Sequence, residues 1–335
     1  MSNSSDLKWL GYAIHDTKQY TDFKVIEFEP KRFEEYDIDV KIEYCGVCGS
    51  DVHSVTGGWN DPILPLIPGH EIIGTVVRVG PKVTTLKVGD RAGVGCRKWV
   101  DTYNAKYPNG DIAHGGYATA IRAHERYVFP IPEALSSEQA APMLCGGLTV
   151  YSPLVRNGAG PGKKVGVVGV GGLGHFAIQF AKALGAEVYV FSHSDNKKAD
   201  AQEMGADHFI STGAQGFEAE YEGLLDLIIC TADISCGIPM SSLIKILGVH
   251  GRFIMVAIPD DHLPTIQSFD LVKNGALIGG SHIGSKKDVL AMLDLVVEKG
   301  VKAWIELLPM SKCGEAIQSV KDNHVRYRKV LKVDI

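Results

Sequence analysis

Two rhythms of apolar and polar positions divide the chain. From about Asp37 to Arg126 and on to Pro130 it runs in short alternating segments, among them Asp39-Val40-Lys41-Ile42-Glu43-Tyr44, Gly74-Thr75-Val76-Val77-Arg78-Val79-Gly80 and Tyr127-Val128-Phe129-Pro130, broken by Gly, Pro and Asp. A period of two with such breaks predicts the short strands of a β-rich, barrel-like domain. After Pro132 the signal changes. The run Ser136-Ser137-Glu138-Gln139-Ala140-Ala141 predicts a polar-capped helix start, and 149–155 a second helical stretch. Strands are then predicted at 165–168, 187–191, 224–230, 252–257 and 276–279, with helices over 174–184, 196–204 and 241–247. Strand–helix alternation of this kind builds an α/β domain, a doubly wound parallel sheet with helices on both faces. An amphipathic helix over 288–299 and strands at 305–309 and 328–333 follow, placed to return to the first domain. The expected division is 1–148, 149–287 and 288–335. With no internal repeat, low-complexity tract or flexible linker, the two domains are expected to pack around a cleft.

Composition narrows the class without naming the chemistry. A length of 335 residues with 45% hydrophobic and 22% charged positions suits a globular protein of two domains, each with its own core. A net charge of −5 gives no electrostatic case for nucleic acid or an anionic membrane as partner, and favours a small-molecule substrate. The polar start of the chain and the lack of any membrane-length apolar stretch give the expectation of a cytoplasmic, reducing setting. Seven scattered cysteines argue against a disulfide framework and for thiols or metal ligands.

One turn carries recognisable chemistry. The run Val165-Gly166-Val167-Val168-Gly169-Val170-Gly171-Gly172-Leu173-Gly174-His175 contains Gly-x-Gly-x-x-Gly at Gly169, Gly171 and Gly174, between a predicted strand and a predicted helix. There the first glycine makes the tight turn, the second lets backbone approach a pyrophosphate, and the third lets the helix pack closely with its amides facing phosphate. A carboxylate at the end of the second strand would bind a ribose 2′-hydroxyl. Here the strand ends in Ser192-His193-Ser194, with Lys197 and Lys198 beyond. Hydroxyl and cationic donors without a carboxylate favour NADP(H), although Asp195 is close and the lysines also read as a solvated helix face.

A second constellation lies upstream: Tyr44-Cys45-Gly46-Val47-Cys48-Gly49-Ser50-Asp51-Val52-His53, then Pro68-Gly69-His70-Glu71, then Leu144-Cys145-Gly146-Gly147. Two thiolates and an imidazole make a catalytic zinc set with a fourth position open. Residue types alone favour ordinary core or surface residues at these positions over a metal site, with the candidate ligands set in tight turns.

The order of the motifs adds more. Gly46 to His53, Gly69-His70-Glu71-Ile72-Ile73-Gly74, Gly89-Asp90-Arg91 and the Gly169–Gly174 turn resemble the zinc-dependent medium-chain dehydrogenase/reductase superfamily. Leu144 to Leu154 (Leu-Cys-Gly-Gly-Leu-Thr-Val-Tyr-Ser-Pro-Leu) and Val325-Arg326-Tyr327-Arg328 resemble its cinnamyl alcohol dehydrogenase branch, over nearly the whole chain. The resemblance implies a GroES-like catalytic domain beside a Rossmann domain. It implies one catalytic zinc on Cys48, His70 and Cys145, with Glu71 able to exchange with water as fourth ligand. Asp51 would orient His70, while Ser50 would share a proton with the substrate oxygen and His53 would pass it to solvent. Gly172, Leu173 and Thr149 would join the three motif glycines at the coenzyme, and Ser192, His193 and Lys197 would hold its 2′-phosphate. Trp59, Cys96, Trp99 and Ile283 would line the substrate pocket, each tryptophan reading equally well as core. The branch also implies a homodimer joined through the cofactor domains.

One feature departs from the branch. Where a lobe with four cysteines normally binds a structural zinc, the stretch Val94-Gly95-Cys96-Arg97-Lys98-Trp99-Val100-Asp101-Thr102-Tyr103 holds one cysteine, so no structural zinc is expected. The implied activity is zinc- and NADP-dependent interconversion of alcohols and aldehydes, aromatic, allylic or long-chain. Reduction of conjugated C=C or iminium bonds is the alternative on the same fold, and a non-catalytic NADPH sensor or scaffold the alternative from another class.

Overall fold

The computed structural model describes residues 7–95, 101–234, 240–259 and 262–335. The chain forms two units, one of residues 1–145, 289–297 and 303–335, the other of residues 146–288 and 298–302.

In the first unit, β1 (Leu10–Ala13) pairs antiparallel with β2 (Lys24–Glu27). There follow β3 (Asp37–Val47), α1 (Gly49–Thr56), β4 (Glu71–Val79), β5 (Arg91–Val94), a small hairpin of β6 (Ala105–Lys106) and β7 (Ile112–Ala113), β8 (Ala120–His124), β9 (Val128–Pro130) and α2 (Ser137–Ala140). Strand β3 is the axis: it pairs antiparallel with β4 and β8, and its inward residues Ile38, Val40 and Ile42 are buried against Ile72, Val76 and Tyr117.

The second unit begins with α3 (Gly146–Arg156). It continues through β10 (Lys164–Val168), α4 (Gly174–Ala183), β11 (Glu187–Ser192), α5 (Lys198–Glu203), β12 (His208–Ser211), β13 (Leu225–Cys230), α6 (Met240–Lys245), β14 (Leu247–Met255), α7 (Ser268–Val272) and β15 (Leu277–Gly280). Its sheet is parallel, in the order β12-β11-β10-β13-β14-β15. This is a doubly wound Rossmann order, with the strand sequence reversing direction at β10. Strands covered on both faces read as continuous apolar runs, as in Val165, Val167 and Val168.

After α8 (Lys286–Lys299), β16 (Ile305–Pro309) and β17 (Arg328–Lys332), with α9 (Cys313–Lys321) between them, extend the sheet of β3. Strand β17 lies antiparallel to β3, with Lys329 opposite Val47. That register places the last strand of the chain beside the segment carrying Cys48.

Several local expectations change. The segment after Cys48 is helical, not a tight turn, and α7, α9 and the short strands β1, β2 and β12 lie where no element was expected. Strand β14 starts at Leu247, five residues before the predicted start at Arg252: Leu247 pairs with Leu225, the register then shifts across 248–251, where His250 takes a left-handed backbone (φ 60°), and Arg252 pairs with Leu227. Among the described residues Cys45, Cys48, Cys145, Cys230 and Cys313 are free thiols, and no helix is long and apolar enough to cross a membrane.

Candidate active site

The candidate metal centre starts from the cap of α1. Cys48 is the extended residue at the helix N-terminus (φ −115°, ψ 157°), and the side chain of Asp51, three residues on, accepts a hydrogen bond from the Cys48 backbone N–H at 2.9 Å. This reciprocal cap gives a sequence of modest helix propensity a defined start. It also turns Asp51 inward, where it is fully buried. Its other oxygen, Oδ1, accepts from Gly69 N at 3.1 Å and from the Tyr103 hydroxyl at 2.7 Å, and lies 3.0 Å from His70 Nδ1. A carboxylate oxygen can only accept, so Nδ1 carries the proton and Nε2 is left as the ring's ligand atom.

Glu71 opens β4 directly opposite Gly46 of β3. A Cβ on Gly46 would stand 1.9 Å from Glu71 Oε2, so the carboxylate occupies space that only glycine leaves free. Arg328, on β17, donates from Nη2 to both Glu71 oxygens at 2.5 and 2.6 Å, and both residues are buried. Cys145 follows a 3₁₀ turn, Ala141–Leu144.

The candidate ligand atoms of Cys48, His70, Glu71 and Cys145 all lie within 4.8 Å of one another, and all four residues are buried. A tetrahedral zinc with Zn–S of about 2.3 Å and Zn–N of about 2.0 Å needs neighbouring donors roughly 3.3–3.8 Å apart, within that limit. The electrostatics agree with the donor set. A hydrogen bond with Cys145, against the effect of burial and helped by His70, holds the Cys48 thiol well below its usual range, towards the thiolate that binds metal. Burial pushes the Glu71 carboxyl up to about 7, with Arg328 opposing.

Other residues named from the sequence take these positions. Ser50 and His53 sit on α1, with the Ser50 hydroxyl 3.7 Å from the Cys48 sulfur. The His53 ring stacks on Trp59 at 4.6 Å between centroids and 7° between planes. Cys96 and Trp99 lie outside the described residues. Arg328 and Tyr103 were not singled out as site residues. Arg328 stood inside a motif quoted for resemblance alone, and Tyr103 carried no signal beyond its place after the shortened lobe.

In the second unit the glycine turn follows β10. Gly169 has φ 92°, a left-handed backbone suited to glycine. A Cβ on Gly174 would meet Gly169 O at 2.0 Å, while one on Gly171 would meet nothing within 4 Å. The middle glycine thus faces open space where a phosphate can approach the backbone, and α4 begins at Gly174 with its amides at that turn. The Thr231 hydroxyl, missed from the sequence, donates to Val168 O at 2.8 Å and secures the strand end below the turn. Ser192 ends β11 and is buried, and His193 is exposed. Lys197 donates from Nζ to Val170 O at 2.7 Å, so it is fixed against the glycine turn, whereas Lys198 is exposed. Thr149 and Ile283 are buried within this unit.

Comparison with known proteins gives the family. The Alcohol dehydrogenase GroES-like domain matches residues 34–133, and the Zinc-binding dehydrogenase domain matches residues 172–298. The NADP-dependent alcohol dehydrogenase 6 of Saccharomyces cerevisiae is 44% identical over 97% of this chain and 96% of its own. Among solved structures, a cinnamyl alcohol dehydrogenase from Sorghum bicolor is 33% identical with a TM-score of 0.88, covering 97% of this chain and 98% of its own. The protein CAD from Helicobacter pylori, solved in complex with NADP(H), is 31% identical with the same TM-score and the same coverage of both chains. The chain is therefore an alcohol dehydrogenase of the zinc-dependent medium-chain dehydrogenase/reductase superfamily, in its cinnamyl alcohol dehydrogenase branch.

Proposed function

We propose that the protein interconverts aldehydes and alcohols, aromatic, allylic or long-chain, using NADP(H) and a single catalytic zinc. The observation that carries this reading is the buried Cys48–His70–Glu71–Cys145 cluster with its orienting Asp51. Cys48, His70 and Cys145 would hold the zinc, with Glu71 as exchangeable fourth ligand. When bound, zinc supplies Lewis acidity at the substrate oxygen and NADPH supplies the hydride. Asp51 keeps the His70 ring turned towards the cluster. The Ser50 hydroxyl gives its proton to the substrate oxygen, and the His53 imidazole replaces it from solvent, its ring held by the Trp59 face. Gly169, Gly171, Gly172, Leu173 and Gly174 receive the pyrophosphate, with Thr149 nearby in the same unit. Ser192, His193 and Lys197 receive the 2′-phosphate, a role supported by the fixed position of the Lys197 amine. Ile283 contributes to the apolar substrate pocket.

The single-zinc reading rests on the lone cysteine in the stretch after Val94. A homodimer through the second unit is supported by apolar side chains left exposed on β14, α7 and the edge strand β15: Val249 at 78%, Phe269 at 68%, Val272 at 75% and Leu277 at 56%.

The test is NADPH oxidation against aldehydes, ketones and enals, with zinc measured on the same sample. Cys48→Ser is expected to lose zinc and turnover while still binding NADPH; turnover persisting in the zinc-free variant would overturn the mechanism. With an enal, the allylic alcohol supports carbonyl reduction, and the saturated aldehyde would move the reaction to the C=C bond.

A further inference from the structure

Of the residues between β15 and α8, Ser281, Ile283, Gly284 and Ser285 are each held by a contact of their own. Ser281 N extends the sheet by donating to Met255 O at 3.0 Å, and Ser285 N donates to Asp288 at the start of α8 at 2.7 Å. Between them Ile283 is buried, with φ 56°. A β-branched residue in the left-handed region is strained, and it persists only where its surroundings impose it.

Those surroundings are on α3. Arg156, in the last turn of that helix, donates from Nη2 to Ser152 Oγ at 2.6 Å, Ser281 Oγ at 2.9 Å and Ile283 O at 3.3 Å. Its Nε reaches Ser152 O at 3.4 Å. These acceptors are hydroxyl and carbonyl oxygens, so the planar fork is used here for its geometry. Beside it, a Cβ on Gly284 would stand 2.8 Å from Leu148 Cδ1 and 3.1 Å from Ser152 Cβ, so the loop is pressed on the same helix face. The strained loop sits at the carboxyl end of a parallel strand, the side on which sheets of this order bind their ligands.

We propose that Arg156 is a positioning residue for the nicotinamide end of the coenzyme, clamping Ser281 and Ile283 so that the loop after β15 keeps its left-handed form. The inference rests on the NADP(H) reading above. The adenosine half of the coenzyme is assigned to the glycine turn and the end of β11, so the clamp matters for one half of the ligand only.

The experiment compares binding of NADPH with binding of 2′,5′-ADP, which carries the 2′-phosphate but no nicotinamide. Arg156→Ala is expected to weaken NADPH about tenfold, through relaxation of one strained loop position, and to leave 2′,5′-ADP unchanged. Arg156→Lys, keeping charge but losing the fork, should fall between. In an Ile283→Gly background, where the left-handed backbone costs little, the same Arg156→Ala change should weaken NADPH by less than about threefold. If Arg156→Ala does not fold, Ser281→Ala removes one anchor and should cost NADPH about threefold with 2′,5′-ADP again unaffected. Unchanged NADPH affinity, equal losses of both ligands, or a full tenfold effect in the glycine background would each overturn the clamp. Failure of the unaltered protein to bind NADPH would instead overturn the coenzyme reading.

Discussion

Replacing Asp51 by Asn tests the centre at its most constrained atom pair. Oδ2 of Asp51 accepts from Cys48 N, while Oδ1 serves Gly69 N, the Tyr103 hydroxyl and His70 Nδ1. An amide has one acceptor oxygen and one NH₂ group, so either orientation turns a donor towards a donor. The less costly orientation keeps oxygen at the threefold position and sets NH₂ against the Cys48 N–H. It loses the helix cap, about 0.5–2 kcal/mol, and leaves buried donors unsatisfied at about 1–3 kcal/mol. The expected loss is about 2–5 kcal/mol in the metal-free protein, or roughly 5–15 °C in the Tm of a unit of this size. Because His70 is no longer held by a full carboxylate, zinc affinity should also fall about 10–100-fold. Urea unfolding of the metal-free protein reads the first effect and competition with a chromogenic chelator reads the second. A variant within about 1 kcal/mol of the parent that also retains its zinc affinity would refute the assignment of Asp51 as the hub of the centre.

Three further outcomes follow from the same geometry. Arg328→Met should cost the metal-free protein about 3–5 kcal/mol at pH 9, where Glu71 loses its buried partner, and much less at pH 6, where the carboxyl is protonated; equal losses at both pH values in chemical denaturation would contradict the pairing. Since burial raises the folded-state pKa of Glu71 to about 7, the stability it contributes to metal-free protein is complete below about pH 4.5 and is lost as pH rises through 7, about 3 kcal/mol in all. Glu71→Gln should flatten that dependence in unfolding measured across pH. Lys197→Ala should raise KM for NADPH more than for NADH while sparing kcat; equal effects on the two coenzymes would remove Lys197 from the 2′-phosphate site.

Legibility followed distance along the chain. The strand–turn–helix of the coenzyme unit could be read because 165–184 holds its whole signal locally: an apolar run, three spaced glycines and an amphipathic helix. Helix α1 could not, because Gly49, Ser50, Thr56 and the β-branched Val52 and Val55 argue against a helix that the Asp51 cap and packing against the core stabilise. The metal-ligand candidates were legible as residue types and motifs, whereas their convergence was not. Arg328 lies 257 positions from Glu71, and only the pairing of β17 with β3 brings its guanidinium to that carboxylate.

By itself the sequence determined the chemistry on offer: two thiols, an imidazole and a carboxylate in separate motifs, a phosphate-binding turn, and donors in place of an acid at the very end of the second strand. These follow from side-chain identity and short-range spacing, which need no fold to be read. The tertiary structure decided how those groups are tuned. It set four donors within 4.8 Å, gave Asp51 its second oxygen's worth of partners, placed Arg328 on Glu71 and fastened Lys197 to the glycine turn. The physical reason is burial. Charges and hydrogen bonds far apart in sequence act strongly on one another only after packing has brought them together and excluded water.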